Sequence, residues 1–340
     1  MSDDNRDADP VDPAAPIDAA SRAPSGAGRA EVVLPLARYR LQLRTETRVC
    51  LPAYAGSAWR GALGHALKRT VCVTGARHCP DCLLYRSCVY PYVFETPPPE
   101  QAAKLRKYPA APHPFVIEPW PECRELAPGE AFGVDLVLIG RGNAQLAYFI
   151  EALRRAGERG LGSGDGRYAL AGVAQETAAG WQAVYAPGGR LDVLPATAPA
   201  VPPLPAGPVR VELRTPLRLK VGGDLVTPGR LRFRDFFSQL LRRISLLSYF
   251  HTDTPLETDF RALVQAAENV ALAEPELRWQ DWTRHSSRQG TLLQMGGLVG
   301  GFMLAGEALA PFWPYLWLGQ WTHAGKGAVM GLGRYRLAAP

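Results

Sequence analysis

The sequence has 340 residues, of which 47% are hydrophobic, so it is long enough for two domains with buried cores. Its formal net charge is +6. The first 30 residues carry a net charge of −3, which leaves +9 on the remainder. A basic body favours a polyanionic partner, nucleic acid first, although many soluble proteins of similar charge bind no polyanion.

The first 30 residues are rich in Ala, Pro, Asp and Ser and contain no apolar run. This composition predicts a disordered tail rather than a secretory signal or a membrane anchor. The least polar stretch, residues 291–305, is interrupted by Gln294 and by glycines, and it is too short to span a bilayer. We therefore expect a cytoplasmic protein with no membrane partner.

Residues 36–44 alternate between apolar and polar side chains, which predicts a half-buried strand. Tyr39 lies on the apolar face, and Arg38, Arg40 and Arg44 lie on the other. Three arginines in one row favour contact with phosphate groups, the alternative being an ordinary solvated strand face.

A helix is predicted from Ser57, the candidate N-cap residue, to Val71. Its polar side carries His65, Lys68 and Arg69, and His65 and Arg69 are neighbours one turn apart. A histidine changes its charge near neutral pH, so it can take up or release a proton in catalysis. From the residues alone, simple solvation of this side is the alternative.

Four of the six cysteines follow this helix closely: Cys72, Cys79, Cys82 and Cys88. The gaps of six, two and five residues fit a tetrahedral four-cysteine zinc site, and also an iron–sulfur cluster. His78 is able to replace one ligand. Four thiolates leave no open coordination position, so the prediction is a structural metal, with four free thiols as the alternative.

The first half is predicted to have the order βαββαβ, that of a ferredoxin-like domain. Strands are expected at 114–118, 130–140 and 168–176, and a second helix at 144–157. The Pro-, Gly- and Ala-rich residues 186–208 are a predicted linker. The N-terminal domain is thus predicted to span 31–185, with a Cys-rich insertion at 72–88.

The second half, residues 209–340, repeats the same order with one helix inserted. Strands are predicted at 209–220, 276–289 and 294–304, followed by a last strand after residue 333, and helices at 231–250, 257–272 and 308–318, the last interrupted by Pro314. The predicted fold class is therefore α+β, with two tandem ferredoxin-like, RRM-like domains.

A glycine-rich loop, residues 323–335, separates the last helix from the last strand. It begins with His323 and contains Gly325, Lys326, Gly327, Gly331, Gly333 and Arg334. Glycines permit unusual backbone conformations, and such a loop with a lysine can cradle phosphate groups. The alternative is a flexible turn. The first half has its own glycine-rich segment at the equivalent place.

The loop HAGKGAVMGLGRY resembles the glycine-rich loop of the RAMP superfamily of CRISPR-associated proteins. Further stretches are similar to the endoribonuclease branch that matures precursor CRISPR RNA: WRGALGHALKR (59–69), CPDCLLYRSCVYPYVFETPPP (79–99), DWTRHSSRQ (281–289) and GGLVGGF (296–302). The resemblance covers roughly residues 35–338. It implies tandem ferredoxin-like domains that bind RNA. The cysteine segment is not part of the general superfamily pattern.

The resemblance also implies metal-independent cleavage, in which a ribose 2′-OH attacks its own 3′-phosphate and no cofactor is needed. That chemistry requires a base, an acid and positive charge at the phosphorane. The family's catalytic histidine on the first helix matches His65, and Lys68 or Arg69 would stabilise the phosphorane. Tyr39 and His323 are further candidates, His323 having a loop-orienting role as its alternative.

The resemblance implies an RNA-binding surface on strand faces and glycine loops. The predicted RNA contacts are Arg38, Arg40, Arg44, Arg284, Arg288, Gly325, Lys326, Gly327, Gly331, Gly333 and Arg334. The expected partners are CRISPR repeat RNA, the mature guide RNA and a CRISPR effector complex. The alternative function is that of a non-catalytic RNA-binding RAMP subunit of such a complex. The sequence shows no phosphate-loop NTPase, dinucleotide-binding or Ser–His–Asp signature.

Overall fold

A computed structural model of the chain describes residues 32–99, 111–120, 125–162, 164–286 and 291–338. It has one larger antiparallel sheet in each half of the chain, with helices between the strands. The predicted α+β class is confirmed. The tail predicted to be disordered, residues 1–30, lies outside the described residues.

The first half contains five strands in one sheet. Its elements are β1 (Leu36–Thr45), α1 (Gly56–Val71), β2 (Phe115–Pro119), β3 (Ala131–Ile139), α2 (Leu146–Arg159), β4 (Tyr168–Thr177) and β5 (Gly180–Tyr185). The sheet order is β2-β3-β1-β4-β5, and its first four strands follow the ferredoxin-like arrangement. Strand β5 was not predicted from the sequence; it adds a hairpin strand to that edge.

The alternation predicted for β1 is observed. Tyr39 and Leu41 are fully buried and share a core with Trp59 of α1. Arg38 and Arg40 lie on the opposite face of the sheet, because successive strand residues point to opposite sides. The helices therefore cover one face of the first sheet, and the arginines mark the other.

The second half repeats this topology. Its elements are β6 (Val209–Leu217), α3 (Phe233–His251), α4 (Phe260–Ala266), β7 (Leu272–Ser286), β8 (Thr291–Leu304), α5 (Trp313–Thr322) and β9 (Tyr335–Ala338). The order β7-β8-β6-β9 matches that of the first four strands of the first sheet. The inserted helix, α4, is present but shorter than predicted.

Two further details predicted for the helices are wrong. The helix expected to begin at a Ser57 N-cap begins at Gly56, with Ala55 at the N-cap position. Pro314 does not interrupt α5 but lies in its first turn, where the missing N–H group of proline has no helical partner to lose. Among the described residues, none of the helices is both long and apolar enough to cross a membrane.

The two halves share their cores. Leu36, Val116 and Val137 of the first sheet pack into the core formed by the second half. In return, Val329 of the glycine-rich loop belongs to the core of the first half. Each half thus completes the apolar core of the other.

Candidate functional site

His65 lies on the exposed side of α1. Arg69, one turn later, is also exposed. Lys68 is half-buried, and its ammonium group lies 5.6 Å from the centroid of the Tyr90 ring. The structure therefore brings these three predicted residues onto one helix and leaves the His65 imidazole open to solvent.

The glycine-rich loop packs against the other side of the same helix. Gly56, at the start of α1, lies so close to the Met330 carbonyl that any Cβ atom on Gly56 would overlap it. His65 follows nine residues later, which at 100° per residue turns it about 180° away from Gly56. The structure thus does not bring His65 and the loop together.

Four loop glycines adopt left-handed backbone conformations that other residues avoid. The φ angles of Gly325, Gly327, Gly331 and Gly333 are 76°, 78°, 84° and 66°. The loop N–H groups of Ala324, Lys326, Met330, Gly331, Leu332 and Gly333 donate to backbone carbonyls of the loop or of residues 216–218. These six N–H groups are satisfied within the protein, so they do not form the phosphate cradle expected from the sequence.

His323 is fully buried between the two halves. Its Nε2 lies 2.8 Å from Oε1 of Glu118 in β2, and its Nδ1 lies 3.2 Å from the Leu332 carbonyl oxygen. Glu118 also pairs with Arg38, at 2.9 Å, and with Arg334, at 3.4 Å. These four ionisable side chains, His323, Glu118, Arg38 and Arg334, are called the interdomain cluster below.

Burial and the neighbouring charges together decide which side chains of the interdomain cluster are ionised. Burial lowers the pKa of His323, and Arg334 and Arg38 lower it further against the opposing effect of Glu118. Burial alone would raise the pKa of Glu118, but Arg38, His323 and Arg334 together lower it to about 2. Glu118 is therefore ionised at neutral pH, while His323 is held toward its neutral form and sealed from solvent.

The arginine row of β1 is not an open basic face. Arg38 belongs to the interdomain cluster and also pairs with Glu176 at 2.8 Å. Arg40 donates from Nε and Nη2 to Asp135, at 3.0 and 2.9 Å. Arg44 is exposed and donates to the Gly129 carbonyl oxygen. Arg38 and Arg40 are thus paired with carboxylates of the same sheet, and the predicted RNA contacts of all three arginines stay predictions.

Tyr39 points into the core of the first half. Its hydroxyl donates to Oδ1 of Asn143 at 3.2 Å, and burial raises its pKa to about 12. The structure therefore separates Tyr39 from the solvent-exposed side of α1 that carries His65.

The cysteine segment follows α1 directly. Cys72, Cys79, Cys82 and Cys88 are all free and half-buried. In the part of the chain that the structure describes, no three His, Cys, Asp or Glu side chains are grouped so that they could hold a metal ion. The four thiols are thus not drawn together into the predicted site, and the structural metal stays a prediction.

The hairpin of β7 and β8 reaches the start of α1. Trp282 of β7 lies 4.7 Å from Tyr54, measured between ring centroids. Arg284 is on β7 opposite Leu293, but its side chain lies outside the described residues, as does all of Arg288. Their predicted RNA contacts stay predictions.

Several residues of this region were missed by sequence reasoning. Glu118 had a signal, since a carboxylate in the apolar stretch PFVIE needs a buried partner. Trp120 and Trp181 had no such signal. Trp120 follows a short strand and Trp181 lies near the start of another, and neither belongs to a sequence pattern. In the structure both indole rings lie beside Arg40.

Comparison with known proteins agrees with this architecture. Residues 34–197 match a family model described as an N-terminal domain, and residues 211–335 match the model of the CRISPR-associated endoribonuclease Cas6. The second half of the chain is thus similar to Cas6. The resemblance to CRISPR-associated RAMP-superfamily proteins is thereby confirmed. No curated protein is a significant match to the sequence.

Solved structures share the fold of both halves of the chain. A chain of a partial Cas6-RT-Cas1–Cas2 complex is similar with a TM-score of 0.56 and 14% identity, covering 90% of this chain and 47% of that chain. The Cas6 chain of a product complex is similar with a TM-score of 0.53 and 20% identity, and the match covers 89% of this chain and 99% of that chain. Thermus thermophilus Cas6 is similar with a TM-score of 0.51 and 17% identity, and the match covers 90% of this chain and 99% of that chain.

The chain spans about half the length of the first of these relatives. At identities this low, the structural similarity is evidence for the fold alone. It confirms the predicted tandem ferredoxin-like architecture.

Proposed function

We propose that this protein is an endoribonuclease that binds CRISPR repeat RNA and cleaves it to mature guide RNAs. The match of residues 211–335 to the Cas6 endoribonuclease model carries the proposal. The net charge of +9 beyond residue 30 supports an RNA partner, because the RNA backbone is a polyanion.

The proposed reaction needs no metal ion. A base removes the proton of a ribose 2′-OH, whose oxygen attacks the adjacent phosphorus, and an acid protonates the departing 5′-oxygen of the next nucleotide. The O–P bond that forms closes a 2′,3′-cyclic phosphate as the P–O5′ bond breaks. Extra negative charge on the phosphorane requires cations nearby.

Accessibility favours His65 as the proton-transfer residue. His65 is exposed on α1, whereas His323 has no exposed surface and faces Glu118. Arg69 is one turn from His65 and would supply charge to the phosphorane, with Lys68 beside it. We assign His323 a positioning role, in which it holds the glycine-rich loop against β2.

A second candidate function is a non-catalytic RNA-binding subunit of a CRISPR effector complex. The burial of Tyr39 and His323 favours it, because two of the residues expected to be catalytic cannot reach substrate. One assay separates the candidates. Labelled repeat RNA is incubated with the protein in excess chelator, beside the same RNA carrying a 2′-deoxy nucleotide at the cleavage site.

The endoribonuclease cuts the native RNA and leaves the deoxy RNA intact. Uncut native RNA, with circular dichroism showing that the chelator has not unfolded the protein, contradicts catalysis. Cutting of the deoxy RNA contradicts the 2′-OH mechanism.

The role of His65 is tested by His65→Ala, with Arg155→Ala on the exposed side of α2 as a matched control. We expect cleavage by His65→Ala to fall by about 100-fold or more, with RNA affinity changed less than about threefold, because one proton-transfer group is removed. Normal single-turnover cleavage by His65→Ala would show that the assignment is wrong.

A further inference from the structure

The face of the first sheet opposite α1 and α2 carries two tryptophans around a central arginine. Arg40 lies on the central strand β1. Trp120 follows β2 on one side of it, and Trp181 lies on β5 on the other. The register aligns Trp181 with Glu176 on β4, two residues along from Ala174, the partner of Arg40.

The three side chains are in contact and held in place. The guanidinium carbon of Arg40 lies 3.9 Å from the centroid of the Trp181 ring and 5.1 Å from that of Trp120. Asp135 accepts two hydrogen bonds from Arg40 and one, at 3.1 Å, from Nε1 of Trp120. The carboxylate thus orients both groups, and its charge is already balanced by Arg40.

Two buried glycines lie in the sheet beneath this surface. Gly133 and Gly172 flank Gln42, one on each neighbouring strand. A Cβ atom on Gly133 would lie 2.9 Å from the Trp120 ring, so that ring rests directly on the glycine. Gln42 and Arg44 are exposed beside it. The exposed part of this surface is thus formed by the side chains of Gln42 and Arg44, beside the Trp120 ring.

The opposite side of this surface is closed by the second half of the chain. Nε1 of Trp321 in α5 donates to Glu176 at 3.3 Å, and the Trp321 ring lies 5.4 Å from the Arg38 guanidinium. Helix α5 thus covers the row of β1 that contains Arg38. Arg40 is half-buried, Gln42 and Arg44 are exposed, and Trp181 is 37% exposed.

We propose that Trp120, Arg40 and Trp181 form a stacking site for an unpaired nucleobase of RNA. Indole and guanidinium planes stack on bases of any sequence, and Arg44, which is exposed and donates to the Gly129 carbonyl oxygen, supplies a positive charge for the adjoining phosphate. The proposal rests on the proposed function, since it presumes an RNA ligand. The site is on the sheet face, whereas His65 is on the helical side, so unpaired RNA held here lies away from the cleavage site.

The test uses the full chain and two labelled probes of equal length: a 12-nucleotide oligoadenylate and an abasic ribose-phosphate oligomer. Trp181→Ala is expected to weaken oligoadenylate binding by about tenfold, the loss typical of one base stacked on an aromatic ring. Binding of the abasic oligomer stays within about twofold. Trp181→Phe, which keeps an aromatic ring, restores oligoadenylate binding to within about threefold of the original.

Tyr148→Ala is the matched control, because Tyr148 is a similarly exposed aromatic residue on α2, at 42%. It is expected to bind both probes as the original protein does. Unchanged oligoadenylate binding by Trp181→Ala, or an equal loss for both probes, overturns the stacking site. An equal loss from Tyr148→Ala overturns it as well.

The outcome is separable from that of the nuclease assay. Loss of oligoadenylate binding in Trp181→Ala by a protein that cuts no repeat RNA supports the stacking site and contradicts only the proposed enzyme. Normal cleavage of repeat RNA together with unchanged oligoadenylate binding contradicts only the stacking site.

Discussion

The two halves each place a glycine-rich segment between their last helix and last strand, and the two segments differ in what they touch. Gly160, Gly162, Gly164 and Gly166 in the first have φ angles of 92°, 85°, 85° and 52°, all left-handed like those of the loop at 325–333. Among the described residues, the glycines of the first segment lie close to residues of their own half, such as Cys50. The second packs on α1 and β2 of the other half.

The two segments have similar glycine patterns and similar backbone conformations, but they have different roles in the fold. The first segment turns the chain at the surface of one domain. The second joins two domains, with Val329 in the first core and His323 bound to Glu118. Its glycines are required by close packing, and most of its described N–H groups serve the fold.

The largest effect is expected from Glu118→Gln, which removes the central charge of the interdomain cluster. Arg38 would keep Glu176, but Arg38 and Arg334 would both lose the buried carboxylate at the centre of the cluster, and breaking such a pair costs about 3–5 kcal/mol. Urea unfolding measures the loss.

Glu151→Gln on α2 is the surface control. Arginines lower the pKa of Glu151 to about 2 as well, but its side chain is 35% exposed, so solvent screens its pairs. We expect a loss of less than about 1 kcal/mol. Equal losses from the two variants would contradict the difference between interface and surface.

Next in size is the effect of Gly331→Ala, measured against Gly164→Ala. Their φ angles are 84° and 85°, so the left-handed strain of an alanine, about 1–2 kcal/mol, is the same in both. A Cβ atom at Gly331 would lie 2.5 Å from the Ile117 carbonyl oxygen, whereas at Gly164 no described atom lies within 4 Å.

We therefore expect Gly331→Ala to lose about 3 kcal/mol or more, and Gly164→Ala about 1–2 kcal/mol. Thermal unfolding of the pair checks this. A Gly331→Ala protein as stable as Gly164→Ala would show that the loop does not pack tightly between the domains.

A smaller effect is expected from pH. His251 joins α3 to the first half through the Pro112 carbonyl oxygen, 2.7 Å from its Nε2, and burial lowers its pKa to about 4. Burial also lowers the pKa of His323. Since the unfolded chain binds these protons more readily, their contribution is complete above about pH 6.5 and is lost as the pH falls.

For His251, the free energy of unfolding should fall by about 1.4 kcal/mol per pH unit below pH 6.5, and the lowered pKa of His323 adds a loss of the same sign. For His251 the loss continues to about pH 4. Glu118, whose pKa is lowered to about 2, adds its own loss from about pH 4.5 downward. Urea unfolding from pH 7 to pH 5 measures the slope, and His251→Asn should reduce it. A flat profile would contradict burial of these histidines.

Sequence periodicity was sufficient for most of the fold. The alternation in β1 and the apolar stripe of α3 arise from local geometry, which repeats along the chain and is visible without neighbours. Strand β5 was missed because GWQAVY is short and follows a turn. The end of α4 was misplaced because tertiary packing decides where a weak helix stops.

The site was predicted less well, because its chemistry depends on contacts between distant segments. His65 and Arg69 could be placed on one helix from their spacing alone. The pairing of Arg40 with Asp135, which is 95 residues away, could not be predicted from spacing. This pairing balances the charge of an arginine that has no visible partner in the sequence. Likewise, Glu118 and His323 are 205 residues apart in the chain.

The contact between Val329 and the first core has a consequence for synthesis. A ribosome releases the N-terminal domain first, and such domains generally fold as they emerge. Here the first domain lacks a core residue, and Glu118 lacks two of its partners, until translation has passed residue 334. The nascent first domain is therefore incomplete while the second half is being made, and it gains full stability only when the glycine-rich loop inserts.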